Sequence, residues 1–167
     1  MTEPETLLVQ DAAQRLTAVH QQVEAAAADA RRAAADVTLV AISKTHDAAD
    51  ITPLIAAGHR VFGENRVQEA AEKWPALKAA YPDLSLHMVG QLQSNKADEA
   101  VALFDVIHSL DRPSLVTALG RAMARQARFL PCFVQVNLAG EAQKGGCLPS
   151  DLASLLAQAR AANIPVA

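Results

Sequence analysis

The run from Val37 through Thr38, Leu39, Val40, Ala41 and Ile42 to Ser43 is nearly continuous in apolar and β-branched residues, and it constrains the fold more than any other segment. A half-exposed strand would alternate apolar and polar positions. A continuous run reads instead as a strand buried on both faces, as in a parallel sheet covered by helices. Before it, from about Thr6 to Ala35, lies a stretch rich in alanine, glutamine, arginine and glutamate. Leu8, Ala12, Leu16, Val19 and Val23 recur there at three- and four-residue steps, which predicts one amphipathic helix.

After the apolar run, helices and strands alternate. Asp47 to Ala57 reads as a helix closed by Gly58, with Asp47 or the Thr52-Pro53 pair as alternative starts. A strand from His59 to Phe62, a helix from Arg66 to Ala80 and a strand from Leu84 to Val89 follow. The rhythm continues with a helix within Ser94 to Leu103, a strand from Asp105 to Ser109, a helix from Pro113 to Ala127 and a strand from Pro131 to Leu138. A last helix, Pro149 to Ala162, leads into Ile164 to Ala167, where a sixth strand begins. Alternation with short loops implies a parallel sheet with helices outside. A doubly wound sheet usually carries a glycine-rich turn after its first strand, and Ser43-Lys44-Thr45 stands there instead, which favours a (β/α) barrel. Complete barrels have eight strands and typically ~250 residues, so 167 residues imply a C-terminally truncated, single-domain piece, residues 1–167, with an extra N-terminal helix.

Composition narrows the function classes. Hydrophobic residues make up 51% and charged residues 20%, as in a soluble domain. A net charge of −3 gives no basic field for nucleic acid. No run approaches the ~20 apolar residues of a spanning helix, and the acidic start lacks the cationic head of a signal peptide, so a cytoplasmic protein is expected. Cys132 and Cys147 read as free thiols, and the five histidines lack ligand spacing, so no metal is expected.

Lys44 ends the most apolar strand, at the rim formed by strand C-termini where parallel α/β folds bind ligands. Burial there would penalise the ammonium and leave a neutral amine able to attack a carbonyl carbon, which is imine chemistry. The alternative is a lysine that snorkels past the strand end to water. Polar groups gather at the other strand ends: Asn65, His87, the stretch Gly90 to Gln93, His108 and Asn137. Any one of them alone reads as an ordinary cap, turn or core residue, Asn65 as a helix cap and His87 as a core histidine with a backbone partner; their agreement in position favours a ligand site. Lys96 and Lys144 lie in loops on the same side, either as cations near Lys44 or paired with Glu64 or Glu141. Lys73 and Lys78 read as a solvated helix face.

Five blocks are recognisable together: Val40 to Thr45, Phe62 to Glu69, His87 to Lys96, Ile107 to Asp111 and Gln135 to Asn137. In this order they resemble the pyridoxal phosphate homeostasis protein family, single-domain relatives of the alanine racemase barrel. The resemblance implies an incomplete (β/α)8 TIM-type barrel of the alanine racemase N-terminal type, with five to six strands. It further implies pyridoxal 5'-phosphate (PLP) held as an internal aldimine on Lys44, with Asn65, His87 and Asn137 about the pocket and Lys96 and Lys144 assisting cofactor exchange. The implied role is cofactor homeostasis and delivery, with PLP-dependent apoenzymes as partners, a monomer, and no turnover of its own. The alternatives are a PLP-dependent racemase or Schiff-base lyase, or an inert α/β fragment. A racemase needs a second base, and the single tyrosine, Tyr81, precedes strand three on the wrong side. The family's phosphate loops follow strands seven and eight, which this sequence does not reach.

Overall fold

The computed structural model describes residues 3–141 and 143–167, with side chains from residue 9 onward. The elements run α1 (Glu3–Asp29), β1 (Ala41–Ile42), α2 (Ala48–Ala56), β2 (Val61–Glu64), α3 (Val67–Ala80), β3 (Ser85–Met88), α4 (Ala97–Leu103), β4 (Val106–Leu110), α5 (Pro113–Gln126), β5 (Cys132–Val134) and α6 (Leu152–Ala161). All strand pairs are parallel and the order in the sheet is the order in the chain. Sequential order without a reversal is the topology of a barrel wall and lacks the switch point of a doubly wound sheet. The fold is therefore an incomplete TIM-type barrel with helices on its outside. Val166 bridges Cys132, so the segment beginning at Ile164 lies beside β5 as the start of a sixth strand.

Local chemistry accounts for the element ends. The Asp47 carboxylate accepts from the Asp50 amide at 3.0 Å and caps α2, which settles the choice between the two predicted starts. Gly58, at φ +96°, turns the chain out of α2 as expected, since this conformation strains any residue with a Cβ. Residue Arg66, not Asn65, occupies the cap position of α3, and neither supplies a capping side chain there.

Strand alternation gives the sheet two unlike faces. Phe62, Leu86, Met88, Ile107 and Cys132 point outward to the helices, and each is at most 1% exposed. Phe62 packs on Trp74 of α3 with ring centroids 5.2 Å apart. Burial pushes the Cys132 thiol up to about 12, so this free cysteine stays protonated. Ile42, Gly63, His87, His108 and Phe133 share the opposite, concave face, where Ile42 is 48% and Phe133 41% exposed.

The apolar run 37–43 corrects the first expectation. Only Ala41 and Ile42 form strand, and Val37 is 40% exposed. Burial on both faces fails because β1 is an edge strand, paired with β2 on one side and with no strand on the other among the described residues. Helix α1 packs on α2, yet Ala27 is its only buried apolar residue among the described side chains and Val19 is 39% exposed; the side chain of Leu8 lies outside those described. Among the described residues, no helix is long and apolar enough to cross a membrane.

Candidate functional site

Because all five strands are parallel, their C-termini meet at one end, and the residues following them form a common rim. Ile42 pairs with Gly63 and Gly63 with His87. Lys44 and Asn65 each lie two residues beyond the first pair, past the ends of β1 and β2. Gly90, after β3, packs directly on the Asn65 backbone, where a Cβ would overlap it. A cavity of about 720 Å³ opens there, lined by Asn65, Arg66, Met88, Gln91, Gln93 and Lys96 among others.

Lys44 follows β1 in a tight turn and is exposed; its carbonyl accepts from Thr45 Oγ1 at 2.6 Å, while its amine has no hydrogen bond or ion pair among the described residues. The expected burial of its amine is therefore corrected: Lys44 is exposed at the end of an edge strand. The turn beneath the amine is firmly tied. Thr45 sits at φ +66°, left-handed and strained for a β-branched residue. Its amide donates to the Glu69 carboxylate of α3. Lys73, also on α3, donates to the carbonyls of Ser43 (2.8 Å) and His46 (2.6 Å).

Lys73 is the largest departure from the sequence reading. Expected on a solvated face, it is 9% exposed and pairs with Glu64 at 2.8 Å and Glu69 at 3.2 Å. Glu64 is fully buried and also accepts from Ser43 Oγ (2.7 Å) and Trp74 Nε1 (3.0 Å), while its second oxygen has no partner. The Thr45 amide, and then Lys73, hold the Glu69 carboxyl below the usual carboxylate range. Lys78 departs likewise, bridging to Asp105 at 2.7 Å from a largely covered position.

The structure brings some expected site residues together and leaves others apart. Asn65 and Lys96 line one cavity, although Lys96 is also paired with Glu99 at 2.8 Å. His87 lies on the concave face, 8% exposed, with Nδ1 2.9 Å from Nε2 of His108 and Nε2 3.1 Å from Ser85 Oγ. Its partners are thus side chains, not the backbone carbonyl a core histidine would use. His108 stacks in turn on Phe133 at 4.8 Å. Burial, with His108 alongside, lowers the His87 pKa to about 4, and burial lowers that of His108 as well, so both imidazoles are neutral at pH 7. Asn137 uses its amide within its own loop, donating to the Glu141 carbonyl at 2.9 Å. Lys144 pairs with Glu141 at 2.7 Å, the structural alternative weighed for it, and being 65% exposed gains little from the contact. The loop reaches the rim at Gly145, where a Cβ would overlap the Gln91 side chain.

These residues fit one end of the expected cofactor. An exposed primary amine at the strand C-termini suits an aldehyde, and Arg66 and Lys96 at the cavity on the same end of the sheet suit an anion. The phosphate loops of eight-stranded barrels follow strands seven and eight, and the sheet among the described residues has five strands.

Comparison with known proteins agrees with this architecture. Residues 15–167 match the family described as alanine racemase, N-terminal domain. The pyridoxal phosphate homeostasis protein of Vibrio cholerae is 36% identical over 144 residues, covering 85% of this chain and 61% of the relative. The protein of that name from Pseudomonas aeruginosa is 39% identical over 145 residues, covering 86% and 61%. PipY of Synechococcus elongatus, solved without PLP, superposes with a TM-score of 0.80 at 40% identity, covering 92% of this chain and 66% of that one. The PLP-bound form of PipY gives a TM-score of 0.74 at 41% identity, covering 88% and 63%. The chain spans about three fifths of the length of the curated relatives it matches. Sequential parallel strands, a lysine closing the first of them and these matches lead to one assignment: the chain belongs to the alanine racemase N-terminal domain family and, within it, is similar to the proteins named pyridoxal phosphate homeostasis protein.

Proposed function

We propose that this chain is part of a PLP-binding protein that holds the cofactor for homeostasis and supplies it to PLP-dependent apoenzymes in the cytosol, working as a monomer and without turnover of its own. The observation that carries the reading is the exposed Lys44 amine at the strand C-termini, the end of the sheet where Asn65 and Lys96 line a cavity. It is supported by the names of the relatives and by the solved PLP complex of PipY.

When bound, the cofactor supplies an aldehyde carbon that condenses with a primary amine and a ring that withdraws electrons. Lys44 is the residue that would hold it covalently. Asn65 offers an amide to the ring's polar edge, and Lys96 and Arg66 offer positive charge to its anionic end. His87, neutral and shielded, offers a surface that neither competes for the anion nor donates an unwanted proton at pH 7. Lys144 and Asn137 belong to the adjoining loop, from which a cation could swing toward a departing phosphate.

Titration with PLP should produce a visible absorbance band that Lys44→Ala abolishes. A band of full amplitude in the variant would overturn the assignment. The racemase alternative needs a second base at the same rim. Tyr81 ends α3 and leads into the N-terminal end of β3, at the opposite end of the sheet. Exchange of an amino acid's α-proton in the loaded protein would overturn the non-catalytic reading.

A further inference from the structure

The turn that carries Lys44 is held by a charge cluster drawn from α3 and the end of β2. Four tethers converge on residues 43–46. Lys73 Nζ binds the Ser43 and His46 carbonyls, which bracket Lys44, at 2.8 and 2.6 Å. Ser43 Oγ donates to Glu64 at 2.7 Å, and the Thr45 amide donates to Glu69. A lysine needed only to fasten α3 to the sheet could bind any exposed carbonyl along the strand. This one grips the two carbonyls on either side of the Lys44-Thr45 pair, the strained residue and the lysine before it.

The conformation gripped is one the sequence would not choose. A threonine at φ +66° is strained and persists where surroundings over-determine it. Glu64 supplies the other half of the device. It is fully buried with one oxygen satisfied three times and the other not at all. An apolar residue would fill that space at lower cost, since buried ion pairs are weak contributors to stability.

We propose that Lys73, oriented by Glu64, is a positioning residue that fixes the Lys44 turn so that the amine is presented to an incoming aldehyde already ordered. This rests on the reading of Lys44 given above. Lys73 does not touch the cofactor, and its effect passes through the Ser43 and His46 carbonyls. Pre-ordering of this kind removes an entropic cost of binding that a loose turn would bear.

The test uses the whole chain and two measurements. The first needs no cofactor: amide hydrogen exchange of residues 43–47. The second is the apparent dissociation constant for PLP from the absorbance band. Lys73→Met alone leaves Glu64 buried and unpaired, so the Lys73→Met/Glu64→Gln pair, which removes both charges, guards against mere unfolding. Lys73→Arg restores a cation that can reach the carbonyls. Exchange at 43–47 should quicken about tenfold or more in the double variant while core strands β3 and β4 keep their protection. The dissociation constant should rise about tenfold, and Lys73→Arg should recover most of both effects. Exchange and affinity both within twofold of wild type in the double variant would overturn the proposal, as would loss of protection across the whole sheet with no selective effect on the turn. If the wild type gives no Lys44-dependent band, the functional reading fails while the exchange result still decides whether Lys73 orders the turn.

Discussion

The helix-facing and concave faces of the sheet are built from the same strands, alternate residues apart, yet they differ sharply. On the helix side, Leu86, Ile107 and Cys132 are completely buried, and the charged exception, Glu64, is fully engaged on one oxygen. On the concave side, Ile42 and Phe133 stand half in water and the His87–His108 pair fills the middle. The first face carries the stability and the second carries the chemistry. Packing holds the helix side rigid, which lets the rim above it present groups chosen for reactivity rather than for fit.

Substitutions test this division most strongly where burial is greatest. Leu86→Ala on the helix side should lower the unfolding free energy by about 3 kcal/mol, the cost of lost transfer energy plus a cavity, read from the urea midpoint at an unchanged slope. A loss below about 1 kcal/mol would break the contrast. The next effect comes from acid and belongs to the concave face. The unfolded chain protonates His87 near pH 6.5, whereas the folded chain resists until about pH 4. Stability is therefore fully present above pH 6.5 and declines as the pH falls through that window, by roughly 2–3 kcal/mol in total. His108, depressed in the same direction, adds to the loss. His87→Gln should flatten the pH dependence of the midpoint between pH 6.5 and 4, and an unaltered slope would assign it elsewhere. Smaller still, Phe133→Ala should cost about 1 kcal/mol, chiefly its stacking on His108. Ile42→Thr, at the exposed edge, should fall within about 0.5 kcal/mol of wild type in the same assay.

How much of this was legible in the sequence follows the same division. Helix and strand order, parallel pairing and the barrel-type succession came from periodicity and caps, because those depend on neighbours within the chain. Lys44 at the rim was legible because a strand end is marked by where its apolar run stops. The exposure of that run was not, since burial of a strand's second face depends on a neighbour that lies elsewhere in the sequence or in another segment. Lys73 was misread for a different reason. It falls three residues after Ala70 and adjoins Trp74, both fully buried, so it borders the apolar stripe of α3. A lysine beside such a stripe, four residues after Glu69 and nine after a strand-end glutamate, is the signal that was available. The imidazole pair was hidden because it joins strands twenty-one residues apart, through a register that only the fold reveals.

The bridge between Cys132 and Val166 has a consequence for how the wall can be extended. The Cys132 amide donates to the Pro165 carbonyl at 2.8 Å, and its carbonyl accepts from Ala167 at 3.1 Å, so both groups on that flank are taken. A slip of one residue would turn every inward side chain outward. Growth from that flank is keyed to one alignment from its first residue, whereas the short β1 flank offers an open template for any passing strand. The two flanks of the sheet thus differ in how selectively they accept a strand.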